Sequence, residues 1–286
     1  MPQIDSDKIV KSYIYGDTVE MTTANGQQQQ TIKVIEGKRY VNLETGEIHD
    51  MDTSNSTRLD NLKSTKQTMK KLRRLVAHNF TGGNNQLWIT LTYREHITKP
   101  DIVYKDFKAF MRRLRTGFGN VDYIAVIEPQ ASGRWHLHVL LKNDSDLTIP
   151  NDILAKMWGK GFTKTKRLRQ TDKIGNYLIA YLSNLSLGDE QSDRKAIVKG
   201  ARLHMYPKGI RIYRTSRGIR KPLEVTTTKG EIMKNFNINS PPNFSRTTTH
   251  ETPYGTKEYT TEFYDNIKSS PEDTLASNSD EKTQKT

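Results

Sequence analysis

Two hydrophobic periods run along the middle of the chain. In LWITLTY (87–93) the side chains alternate, with Trp88, Thr90 and Thr92 on one face and Leu87, Ile89, Leu91 and Tyr93 on the other, the period of a strand. VDYIAVIE (121–128) and WHLHVLLK (135–142) are also β-prone, and the turn residues PQASGR between them predict a hairpin. The helical period governs STKQTMKKLRRLVAHNF from Ser64, where Met69, Leu72, Leu75 and Val76 share a face behind a Ser-x-x-Gln capping box. It governs DIVYKDFKAFMRRLR (101–115) as well, with Phe107, Phe110, Met111 and Leu114 inward. A short helix is predicted at NDILAKMW from Asn151, then a basic β-prone run GFTKTKRLR, then a helix from Asp172 to about Asn184, and later a strand-like IRIYRTS. Strand, helix, hairpin, helix, strand, helix predicts an α+β fold, a mainly antiparallel central sheet flanked by helices in a two-layer sandwich.

The ends are patterned differently. TIKVIEGKRYVNLETGEIHD holds two β-rich runs broken by turn residues, which predicts a small sheet or hairpin ahead of a polar linker, MDTSNST. Beyond about Lys234 the chain is polar and rich in Pro, Ser, Thr and Asn, the composition of a largely disordered tail. Within it KEYTTEFYD (257–265) reads either as a lone strand or as a docking segment. The expected organisation is therefore an N-terminal β-rich extension and linker (1–60), a central domain (61–230) and a C-terminal tail (231–286).

Charge sharpens this division. Residues 61–230 carry 33 Lys and Arg against 13 Asp and Glu, whereas residues 1–60 carry 6 against 10 and residues 231–286 carry 6 against 9. A centre this basic predicts a polyanionic partner, nucleic acid. There is no cysteine, which excludes disulfides, thiolate nucleophiles and cysteine-ligated metals. No apolar run is long enough to cross a bilayer, and the N-terminus MPQIDSDKIVKSY lacks a signal-peptide core. The expectation is a soluble, cytoplasmic protein without a membrane partner.

The candidate chemistry begins with two histidines in an apolar strand. His136 and His138 fall on the same face, and closing the PQASGR turn brings Glu128 near them. Two imidazoles and a carboxylate on rigid strands make a His2Glu set for a divalent cation such as Mn²⁺ or Mg²⁺, able to polarise a phosphoryl oxygen. Structural hydrogen bonding by the two histidines is the other reading. In GNYLIAYLSN, Tyr177 and Tyr181 are four apart, on one face of the predicted helix. Such a pair serves either as core packing or as phenol nucleophiles. Arg112, Arg113, Arg115, Arg134, Lys164, Lys166, Arg167 and Arg169 are candidates for holding a DNA backbone, and Trp135, Trp158 and Tyr213 for stacking on bases.

Together these motifs resemble the HUH endonucleases that initiate rolling-circle replication in plasmids and phages, whose fold is an RRM-like sandwich. LWITLTY, EPQASGRWHLHVLL and YLIAY stand in the order of that family's three motifs, over roughly residues 65–221 including the basic ending RTSRGIRKP. A conjugative relaxase would carry the tyrosine ahead of the histidines, whereas here it follows. The resemblance implies metal ligation by Glu128, His136 and His138 and nucleophilic attack by Tyr177, with Tyr181 as the second of an alternating pair. It implies a substrate of single-stranded or hairpin origin DNA, a covalent 5′-phosphotyrosine and a free 3′-OH for a host polymerase. No Gly-x-x-x-x-Gly-Lys-Ser/Thr loop occurs, so unwinding falls to a host helicase. One departure is Ala180, where many relatives have lysine; Lys173, Lys164 or Lys166 could take that part. A non-catalytic nucleic-acid-binding regulator on the same fold is the alternative.

Overall fold

The computed structural model describes residues 2–24, 32–51, 62–130, 132–169, 204–252 and 255–267. The predicted helix at 172–184, with Lys173, Tyr177, Ala180 and Tyr181, lies outside the described residues. In chain order the elements are β1 (Ile9–Tyr15), β2 (Thr18–Thr22), β3 (Ile32–Ile35), β4 (Arg39–Asn42), β5 (Ile48–Asp50), α1 (Leu62–Asn79), β6 (Gln86–Leu91), α2 (Pro100–Phe118), β7 (Asp122–Pro129), β8 (Trp135–Lys142), α3 (Asn151–Trp158), β9 (Thr163–Arg167), β10 (Tyr213–Thr215), β11 (Leu223–Thr228), α4 (Lys229–Asn235), β12 (Phe244–Thr252) and β13 (Gly255–Tyr264). The fold is α+β, with antiparallel sheets and flanking helices.

The chain divides into two units, one of residues 53–221 and one that joins residues 1–52 to 222–286. In the first, a five-stranded sheet runs β10-β7-β8-β6-β9, with every pair antiparallel. The β7–β8 hairpin closes through Gln130 N–H to Arg134 O (2.7 Å) and Gly133 N–H to Gln130 O (2.9 Å), with Gly133 at φ 79°. α2 begins on Pro100 and ends at Gly119, where φ is 74°. It buries Val103, Phe107, Phe110, Met111 and Leu114, with Phe107 edge-on to Tyr123 and Phe110 edge-on to Trp158. α2 and α3 thus cover the sheet face that carries Tyr123 and Leu141. α1 starts two residues earlier than the predicted capping box, so Ser64 sits inside the first turn and its carbonyl accepts from Thr68 Oγ1. Its far end is fixed by Asn79, whose Oδ1 accepts from Lys142 Nζ (3.0 Å) and Arg220 N–H (2.9 Å) while Nδ2 donates to Arg220 O (2.7 Å). Because Lys142 shares the face of His136 and His138, that helix end lies on the histidine side.

In the second unit, the described residues of 231–267 hold helix and strands where a largely disordered tail is expected. The supposed tail contributes α4, β12 and β13, and the order β11-β1-β2-β13-β12 makes one antiparallel sheet from the two ends of the chain. KEYTTEFYD is neither a lone strand nor a docking segment but most of β13, an inner strand between β2 and β12. The physical reason is that its inward positions are partly polar. Ser12, Ser245 and Glu262 are buried beside Val10, Ile14, Val19, Met21 and Tyr264, so apolar alternation is blurred. Residues 32–50 form a separate three-stranded sheet, β3-β4-β5, one strand more than the two runs predicted.

Candidate metal centre

Register builds the cluster. β7 pairs with β8 so that Glu128 stands opposite His136 and Val126 opposite His138; His138 is therefore the diagonal neighbour of Glu128 on the same face. His136 Nε2 and His138 Nε2 are each 3.1 Å from Glu128 Oε2 and 2.8 Å from one another, with the two rings edge to face. All three side chains are buried. On the next strand, Thr90 is paired with His138, and its Oγ1 lies 3.4 Å from His138 Nδ1. Trp88 meets the same imidazole edge-on. A proton on Nδ1 shared with Thr90 leaves the Nε2 lone pair facing the cluster. His136 Nδ1 is buried without a hydrogen-bond partner.

The electrostatics agree with a ligand set. Burial pushes the Glu128 carboxyl up, but the hydrogen bonds from His136 and His138 outweigh it and hold the group down at about 2. Burial pushes His138 below the ordinary histidine value, against the pull of Glu128. An ionised carboxylate and a neutral imidazole are the states that bind cations.

The three donor atoms form a triangle that hydrogen bonds alone do not fill. With a proton on each Nε2, both donate to Glu128 and the 2.8 Å nitrogen–nitrogen edge sets one N–H against the other. With one proton, a lone pair is left over in a buried site. A cation resolves this: ligands at about 2.1 Å in an octahedron are about 3.0 Å apart along each edge, close to the separations here. The residues therefore fit a small divalent cation held by nitrogen and oxygen. Among the described residues this is the one group of three His, Cys, Asp or Glu side chains able to share an ion.

The other candidates are distributed unevenly. Lys164 and Lys166 are exposed on β9, and register puts Lys164 opposite Thr90 and Lys166 opposite Trp88, on the histidine face. Arg169 is exposed just beyond. Arg112, Arg113 and Arg115 belong to α2, across the sheet from the cluster. Arg113 Nε is held by Met157 O (2.7 Å), and Arg115 donates to Val121 O and lies over Tyr123. Arg167 is bound to Asn84 O, Leu147 O and Thr148 Oγ1, a bracing role that sequence does not announce. Arg134 is half-buried in the hairpin turn. Trp135 and Trp158 are buried in the core, donating to Thr98 O and Thr92 O; neither presents a face to a base. Tyr213, opposite Val126 on β10, is half-buried on the histidine side. Thr90 and Trp88 are the orienting residues that sequence reasoning missed, although the alternation of LWITLTY already put them on one face.

Comparison with known proteins bears on this segment. Residues 86–186 match the family described as replication-associated protein ORF2/G2P. A curated relative, the phasyl DNA replicon protein arp of Escherichia coli, is 28% identical over 152 residues, 44% of this chain and 51% of that protein. The chain thus spans about half the length of the curated relative it matches. No solved structure matches the chain, and no helix among the described residues is long and apolar enough to cross a membrane. Over the segment that carries Glu128, His136 and His138, the chain is similar to replication-associated proteins.

Proposed function

We propose that the protein is a rolling-circle replication initiator of the HUH type, which nicks and rejoins origin DNA. The observation that carries this reading is the buried Glu128, His136 and His138 triangle, with donor atoms 2.8 to 3.1 Å apart, inside a segment similar to replication-associated proteins. Glu128, His136 and His138 would hold a divalent cation, Mn²⁺ or Mg²⁺, which when bound polarises a phosphoryl oxygen as a Lewis acid. Thr90 and Trp88 keep the His138 ring turned toward it. Lys164, Lys166 and Arg169 attract the DNA backbone and hold it by its phosphates.

The nucleophile assigned by the motif order is Tyr177, with Tyr181 as its alternate. The phenol oxygen bonds to phosphorus as the bond to the 3′ oxygen breaks; the phenol loses its proton and the departing oxygen gains one. The products are a 5′-phosphotyrosine and a free 3′-OH, and reversal joins the ends without an external energy source. A host polymerase extends the 3′-OH and a host helicase opens the duplex. The substrate is the origin as a single strand or hairpin.

The test is a search for an SDS-resistant protein–DNA adduct after incubation with labelled single-stranded segments of the protein's own replicon and Mn²⁺. Wild type should form it, Tyr177→Phe should abolish it or shift it to Tyr181, and the double variant should form none. Tight binding with no adduct and no cleavage on any segment would establish the regulator instead.

A further inference from the structure

Phe162 is the most exposed large apolar side chain among the described residues, at 67%. It precedes β9, and the pairing Leu91↔Thr163 carries on by one step: Thr92 N–H and Thr92 Oγ1 both donate to Phe162 O at 2.9 Å. Leu91 is also opposite Leu137, so the same step sets Thr92 beside His136. Phe162, Thr92, His136 and Glu128 therefore lie in one row across the sheet. Thr163 points the other way, buried and bonded to Asn151 of α3, which leaves Phe162 on the histidine face with Lys164 and Lys166. Two strand spacings, about 10 Å, separate its backbone from that of His136.

The position is built rather than incidental. Arg94 N–H donates to Lys160 O (2.8 Å) and Trp158 Nε1 to Thr92 O (2.6 Å), so the 158–162 segment is laced to the end of β6. Gly161 sits so close that a Cβ there would meet Thr92 O at 2.5 Å and Arg94 N at 2.7 Å. A rigid backbone thus holds an aromatic ring in water, on the sheet face that also carries the exposed Lys164 and Lys166 and the Glu128, His136 and His138 cluster. Aromatic rings among cations are the means by which proteins hold unpaired bases.

We propose that Phe162 is the stacking platform for an unpaired base of the strand whose phosphate lies at the Glu128, His136 and His138 cluster. The proposal rests on the nicking reading and adds to it the substrate feature recognised: a base out of the helix, next to the scissile phosphate. Lys164 neutralises the backbone of the same nucleotide.

Short single-stranded oligonucleotides carrying 2-aminopurine at alternate positions test it on the full chain. Wild type should quench the fluorophore, and Phe162→Ala should lose the quenching with about tenfold weaker binding. Phe162→Trp should keep both, and an abasic strand should not distinguish wild type from Phe162→Ala. Unchanged quenching and affinity in Phe162→Ala, or an equal loss on the abasic strand, would overturn the stacking role; adduct formation persisting in the same samples would leave the nicking reading standing. Failure of wild type to bind any single strand would overturn both. Melting curves of each variant verify that the fold is intact, as an exposed side chain requires.

Discussion

His138 and Glu128 respond to acid in the same direction. Each is held below its ordinary value, 6.5 for the imidazole and 4.5 for the carboxyl, so the unfolded chain binds more protons than the folded one below those values. Stability contributed by His138 is complete above about pH 6.5 and drains away as pH falls through it; that of Glu128 is lost between about pH 4.5 and 2. A fall in melting temperature as pH drops from 7 to 5 is the expected result for the metal-free protein, and His138→Gln should flatten it. Protons compete with the cation for the same lone pairs, so Mn²⁺ affinity measured by calorimetry should decline over this range as well. At neutral pH, Glu128→Gln and His136→Ala should each weaken Mn²⁺ binding by tenfold or more, since each removes one of three donors. Equal affinity in His136→Ala would assign that histidine a structural part, and equal affinity in Glu128→Gln would remove the carboxylate from the donor set.

Elements are tied together at a few polar points, and Asn79 is the clearest. It ends α1, accepts from Lys142 of β8 and Arg220, and returns a hydrogen bond to Arg220 O. Asn79→Ala leaves a lysine ammonium and two backbone groups of Arg220 without that partner, a cost of about 1–3 kcal/mol that denaturant unfolding should reveal as a lower midpoint at unchanged slope. Much of this level was legible in the sequence. The helices at 101–115 and from Asn151, the strand at 135–142 and the hairpin turn all declare themselves by period and punctuation. The hairpin also determines that Glu128 faces His136. Phe162 was not legible, because in GFTKTKRLR an exposed aromatic and a buried one look alike until pairing with β6 assigns the faces.

The whole molecule depends on contacts that span the chain. Lys229 Nζ donates to Ile4 O (2.6 Å) and to Glu262 (3.0 Å), while Glu262 also accepts from Ile4 N–H and Tyr264 Oη, all buried. Lys229→Met strands the carboxylate and should cost about 3–5 kcal/mol, with loss of hydrogen-exchange protection in β1 and β2 as the readout. In the other unit, 33 basic residues stand against 13 acidic ones in residues 53–221. Binding to single strands should weaken steeply with salt, and Lys164→Gln with Lys166→Gln should reduce the slope of log K against log salt by about 1.4, or about 0.7 for each phosphate no longer neutralised. An unchanged slope would remove both lysines from the DNA path.

Local physics in the sequence by itself determined the α+β class, the charge division and the placing of two imidazoles on one strand face, because periodicity and hairpin closure act over a few residues. Tertiary structure decided the rest. Which chain ends pair, which cations point into water and which brace carbonyls, and which aromatic stays exposed follow from strand partners as far apart as Met21 and Glu262. No local pattern encodes those partners, since the cost of joining distant segments is repaid only when the whole sheet has formed.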